Sequence, residues 1–165
     1  MLKFVLITSV IISISLMINI GIHYDHTKIL PVNVIYAQTN DMHFDKNFKA
    51  IVSETNLITA VYETEIGKWK NKQISNSTII TITNEQIIKL ENLIKRLDSF
   101  PKNEENKNIT DLYAKSLENE IESNIHFKNY LLTNDPLEKK LSSEYLSRAL
   151  EYEVYSFAEF NKIYQ

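Results

Sequence analysis

No cysteine occurs anywhere in the chain, and glycine occurs only twice among 165 residues. The first absence excludes disulfides, thiolate nucleophiles, Cys-type zinc sites and lipid attachment through an N-terminal cysteine. The second, together with only three prolines, leaves too few turn formers for a loop-rich fold. It also removes the material for a glycine-rich phosphate cradle or a nucleophile elbow. A positive excess is missing too: 18 Lys and Arg stand against 21 Asp and Glu, a formal charge of −3. Nucleic acid wants a concentrated positive surface, so no nucleic-acid partner is expected. A chain of this length can bury one real core, and its shortage of turn formers predicts an all-α fold.

Uncharged apolar sequence is abundant at the N-terminus. "FVLITSVIISISLMINIGI", from Phe4 to Ile22, carries no charge over 19 residues. As a helix it would span roughly 28 Å, about the hydrocarbon thickness of a bilayer. Lys3 and the amino terminus should stay on the cytoplasmic side, which places the remainder outside. "VIYAQ" resembles the small-residue end of a cleaved signal, with Ala37 at the cut. Against cleavage, Ala37 lies fifteen residues beyond Ile22. Residues 1–37 are therefore read as a signal peptide or as a membrane anchor with its linker, and residues 38–165 as an extracytoplasmic helical bundle. If uncleaved, residues 4–22 would hold the protein in the membrane. The sequons at Asn76 and Asn108 are candidate glycosylation sites in such a setting. The His23–His26 cluster "HYDH" reads as an interfacial flank of the apolar run.

Beyond Asp41, apolar residues recur at helical spacing. Phe44, Phe48, Ile51, Thr55, Ile58, Tyr62, Ile66 and Trp69 form one narrow seam, with Gly67 either ending the helix or tolerated inside it. The β-branched stretch "NKQISNSTIITIT", 71–83, reads as a long extended crossover. Thr83 and Gln86 then have the spacing of a capping box opening a short second helix, faced by Ile87, Leu90, Ile94 and Leu97. A third helix, from about Ile109 to Thr133, is faced by Tyr113, Leu117, Ile121, Ile125, Leu131 and Leu132. Asp135-Pro136-Leu137-Glu138 is a strong helix start, and the tight turn before it requires an antiparallel pair. The expected architecture is an antiparallel four-helix bundle with one short helix and one long extended crossover.

The fourth helix has more apolar surface than two neighbours can cover. Leu141, Tyr145, Ala149, Tyr152, Phe160 and Ile163 form its seam, and Leu146, Leu150, Val154 and Phe157 widen it. These four either pack beneath the crossover or form a partner-facing strip. Asn124 and Lys128 interrupt the third helix's seam and should lie near Arg148 and Glu144, serving as register-fixing polar residues. With Tyr113 and Arg148, they could otherwise line a small polar ligand site. His126 and Glu122 share a helix face expected to look into solvent, without the inward Glu-x-x-His spacing of a di-metal bundle. Glu118, Glu120, Glu122, Glu151 and Glu153 read as solvated helix faces. No metal site, cofactor or catalytic residue is assigned, since the acyl- and phosphoryl-transfer templates lack their parts. The expectation is a non-enzymatic extracytoplasmic helical interaction or structural module at the cell surface, secreted or anchored, that binds a protein partner or itself. The alternatives are a small-ligand or metal-binding bundle and, less favoured, the sensing domain of an anchored receptor.

Overall fold

The computed structural model describes residues 32–101 and 103–165. Four helices account for nearly all of them: α1 (Val32–Lys70), α2 (Asn76–Asp98), α3 (Glu104–Thr133) and α4 (Pro136–Tyr164). No strand occurs among the described residues. The packing described below lies within one compact unit, Tyr36–Gln165. Among the described residues no helix is long and apolar enough to cross a membrane. The apolar run 4–22 and the 23–26 cluster lie outside them.

Short polar residues begin three of the helices. Ser75 caps α2, its Oγ accepting from the Thr78 N–H at 3.1 Å. Asn103 caps α3 by accepting from the Asn106 N–H at 2.7 Å. Asp135 caps α4, accepting from the Leu137 N–H at 2.9 Å with Pro136 in the first turn. Each cap satisfies an amide that the first helical turn would otherwise leave without a partner. The turn between α3 and α4 is tight because Asn134 takes the left-handed conformation, φ 59°, which Asn tolerates better than most residues.

The long extended crossover is not present. Residues 76–83 form the first two turns of α2, and only 71–75 connect it to α1. β-branched residues disfavour helix by only tenths of a kcal/mol each, which the Ser75 cap and the burial of Ile79 and Thr83 overcome. Thr83 is thus an interior residue of a full-length helix and not a capping residue. Gly67 lies within α1, and the chain turns at Lys72, whose φ is 59°.

The helices run alternately up and down, as their cross-contacts require. Tyr62 meets Thr83 and Trp69 meets Asn76 across α1 and α2, and Lys128 meets Asn84 across α2 and α3. The α3–α4 pair is held by a repeating bond. Ser156 Oγ donates to Ile109 O at 2.9 Å, Ser116 Oγ to Ala149 O at 2.8 Å and Ser123 Oγ to Ser142 O at 2.8 Å. The positions advance by seven along α3 as they retreat by seven along α4, the period of a coiled-coil seam. A serine hydroxyl can reach a facing backbone only where the two helices approach closely, so small residues at this seam bring the axes together.

This register corrects one expectation. Ser123 lies against Ser142, so Asn124 faces the beginning of α4, about one heptad away from the Arg148 and Glu144 level expected for Asn124 and Lys128. The serine seam, not the polar pair, sets the register.

The apolar core gathers at one end of the bundle. Phe44, Phe48, Ile51 and Val52 of α1 pack with Leu90, Leu93 and Leu97 of α2, Ile109, Tyr113 and Leu117 of α3, and Phe160 of α4. Aromatic contacts dominate, with Phe48 meeting Tyr113 at 5.2 Å and Phe160 at 5.1 Å between ring centroids. Leu132 and Ile163 were expected in core seams but are 65% and 39% exposed. Both lie near helix ends, where the facing helix no longer covers them.

Candidate functional site

Two features are available for function: one flank of α4 and a polar layer beside the apolar core. On α4, Leu146 is 36% exposed, Val154 is 62% exposed and Leu150 between them is half-buried. Spaced by four, these three follow one another along a single flank of the helix. Phe157, expected to continue the strip, turns inward and packs on Tyr113 at 6.0 Å between ring centroids. No extended crossover covers this flank, because residues 76–83 belong to α2. Exposed Leu57 and Val61 form a second, smaller apolar pair on α1.

The polar layer draws on all four helices. Thr55, Thr59 and Tyr62 come from α1, Thr83 and Gln86 from α2, Tyr113 and Glu120 from α3, and Glu153 from α4. Tyr62 and Thr83 share a hydrogen bond of 2.9 Å, and the burial of Tyr62 raises its phenol to about 12. Thr59 Oγ1 donates to Glu120 at 3.1 Å. Desolvation raises the Glu120 carboxyl to about 7, the Thr59 hydrogen bond opposes this, and Glu153 pushes it further up. Burial raises Glu153 as well. Tyr113, 1% exposed, is also raised by burial.

Two polar atoms in this layer complete no hydrogen bond, Gln86 Nε2 and Tyr113 Oη. Gln86 is 2% exposed and lies against the Glu120 carboxylate. A buried polar group without a partner costs about 1–3 kcal/mol.

This placement corrects the reading of Glu120 and Glu153 as solvated. Glu118, Glu122 and Glu151 are exposed, whereas Glu120 and Glu153 are only partly accessible. The spacing contained the signal: Glu120 follows Leu117 by three and Tyr113 by seven, and Glu153 follows Ala149 by four and precedes Phe160 by seven. Both therefore stand on the seam of their helix. Charge was taken as a mark of solvent, and position decided otherwise.

His126 is also turned from its expected direction. Its Nδ1 lies 2.7 Å from Glu138 Oε2 on α4, and its ring stacks on Tyr145 at 5.2 Å. The hydrogen bond from His126 lowers the Glu138 carboxyl. Glu122, its expected neighbour, is exposed.

The proposed polar contacts Tyr113, Asn124, Lys128 and Arg148 have separate surroundings. Tyr113 lies in the core against Phe48. Asn124 is buried with Nδ2 unpartnered. Lys128 donates to Asn84 Oδ1 at 3.1 Å, and Arg148 lies over the Tyr145 ring at 5.1 Å. Both sequon asparagines are exposed in early helical turns. Asn76 Oδ1 accepts from Trp69 Nε1 at 2.8 Å, and Asn108 lies in the second turn of α3. Among the described residues no group of three or more His, Cys, Asp or Glu side chains is arranged to hold a metal ion. No family model, curated protein or solved structure matches the chain.

Proposed function

We propose that this protein is a non-enzymatic helical interaction module that works outside the cytoplasmic membrane and pairs through α4 with a second copy of itself. The observation that carries the reading is the run Leu146, Leu150 and Val154, an apolar flank with Val154 62% exposed. Exposed aliphatic surface in a continuous run favours association, because each buried side chain removes apolar area from water. The run is symmetric about Leu150, four residues from Leu146 and four from Val154. A two-fold axis through Leu150 would set Leu146 of one copy against Val154 of the other, the self-complementary arrangement of an isologous dimer. The uncharged run 4–22 supports the location, as export or anchorage would follow from it. Residues 4–22 would then deliver the bundle and α4 would assemble it.

Sedimentation of the full chain in mild detergent tests the pairing. Val154→Lys and Leu150→Glu should each convert the assembly to monomers while the helical circular dichroism and cooperative melting persist. A monomeric wild type, or variants that unfold without first dissociating, would overturn the proposal. Val154→Lys is the more decisive, because that side chain already faces solvent.

A further inference from the structure

Charge is unevenly distributed along the bundle. Trp69 Nε1 donates to Asn76 Oδ1 at 2.8 Å, and the Trp69 ring meets Phe127 edge-on at 5.4 Å between centroids. The end of α1, the start of α2 and the end of α3 therefore lie at one level, and the tight turn after Thr133 brings the start of α4 there too. Residues 66–80 and 127–141 make up this end. They hold six lysines, Lys68, Lys70, Lys72, Lys128, Lys139 and Lys140, against two acids, Asp135 and Glu138. The remainder of the chain keeps 12 of the 18 Lys and Arg but 19 of the 21 Asp and Glu. Both acids at this end are engaged: Asp135 accepts from the Leu137 N–H at 2.9 Å, and Glu138 Oε2 lies 2.7 Å from His126 Nδ1. Glu65 and Glu144, further in, pair with Lys68 and Lys140 at 2.6 and 3.5 Å. The end is basic on balance.

Apolar side chains protrude from the same end. Leu132 is 65% exposed and Leu137 is 56% exposed, one on each side of the turn 133–135. A projecting turn between two helix ends presents no continuous flank for another helix to pack along. It can, however, enter a deformable layer that is anionic outside and apolar beneath. Lysine suits such a boundary, because its alkyl stem lies along apolar surface while the ammonium stays in the polar zone. Trp69, the single tryptophan of the chain and partly exposed, is of the type that settles at this depth. Tyr130 adds a second amphipathic ring, with Lys139 Nζ 5.8 Å from its centroid.

From this coincidence of positive charge and exposed leucine we infer that the end of the bundle formed by the α1–α2 and α3–α4 turns docks on the surface of an anionic phospholipid bilayer. Leu132 and Leu137 enter the interfacial zone, and the lysines meet lipid phosphates. Each lysine held near such a surface strengthens binding about fivefold. The attraction fades within a Debye length, roughly 8–10 Å at ordinary salt, so only lysines gathered at one end act together. The contact is separate from the α4 strip, because Leu146, Leu150 and Val154 belong to later turns of that helix. It is also a different contact from any made by residues 4–22.

Trp69 reports the contact without a label. The full chain is reconstituted in vesicles whose lipids carry brominated acyl chains, which quench tryptophan only on close approach. Every vesicle in the suspension is of this kind, so contact with the protein's own vesicle or with a neighbouring one reads alike. Trp69 emission should be quenched in equal parts phosphatidylcholine and phosphatidylglycerol and not in phosphatidylcholine alone, and added salt should diminish the quenching. Any insertion of residues 4–22 is common to both lipids. Leu132→Ser with Leu137→Ser should abolish the quenching at unchanged charge, and Lys70→Gln with Lys140→Gln should weaken it. All four positions are exposed, so the helical circular dichroism should persist in both variants. Leu57→Ser with Val61→Ser, exposed on α1 away from this end, should be quenched like the wild type. Equal quenching in the neutral lipid, or full quenching in the leucine variant, would overturn the proposal. An unquenched wild type that is retained on inorganic polyphosphate would mean a soluble polyanion as partner, and would overturn it equally.

Discussion

Ser156 of α4 donates its hydroxyl to the carbonyl oxygen of Ile109 on α3 at 2.9 Å, and both residues are fully enclosed. The same relation repeats seven residues on, with Ser116 donating to Ala149. The two helices are therefore joined by side chain to backbone, at a separation only small residues allow.

Enlarging that seam should be costly. Ala149→Leu places three additional carbon atoms where α3 and α4 meet, and overpacking of this kind costs about 1–3 kcal/mol. Ser116→Ala removes one hydrogen bond without adding bulk and should cost about 1 kcal/mol. Urea denaturation of the two variants should rank them in that order.

Gly67 should be replaceable with benefit. It lies inside α1, and a Cβ built there meets nothing within 4 Å. Alanine is favoured over glycine within a helix by about 1 kcal/mol. Gly67→Ala should raise the urea midpoint, with no change in the slope of the transition.

The pH dependence of stability near neutrality should come largely from Glu120. Its carboxyl is raised from 4.5 to about 7 in the folded protein, so the folded state binds the proton more tightly than the unfolded one. The associated stability is complete below pH 4.5 and is lost as the pH rises through about 7. Stability should fall between those limits. Glu120→Gln should flatten the profile there and leave the variant more stable than the wild type at pH 8.

Glu138 should act in the opposite direction. The hydrogen bond from His126 lowers its carboxyl below the ordinary 4.5, so its contribution is present above that value and disappears as the pH falls. Glu138→Gln should lower the melting temperature at pH 7, and the difference from wild type should vanish in strong acid. A melting series in acid and neutral buffers distinguishes this ionic contribution from simple packing.

Much of the fold could be read from residue spacing. The α1 seam from Phe44 to Tyr62 and the cap at Asp135 stand where periodicity and capping rules place them, and Leu90 and Leu97 are buried as expected. The error at 76–83 arose because β-branched propensity is weak, whereas tertiary burial of Ile79 and Thr83 is strong. Part of the candidate site was legible as well: Leu146, Leu150 and Val154 already exceeded what neighbouring helices could cover. Glu120 and Glu153 stood at seam positions and were passed over because charge usually marks solvent.

What the sequence by itself determined is the class of fold and its exclusions. Periodicity and a shortage of turn formers dictate long helices, and missing cysteine removes thiol and disulfide chemistry. Those are local or compositional properties, readable without knowing which helix faces which. Tertiary structure alone decided that Ser116 and Ser156 set the register of α3 on α4, that His126 meets Glu138, and that Thr59 of α1 meets Glu120 of α3. Each depends on the azimuth and axial offset of a facing helix, which arise from the packing of the whole bundle.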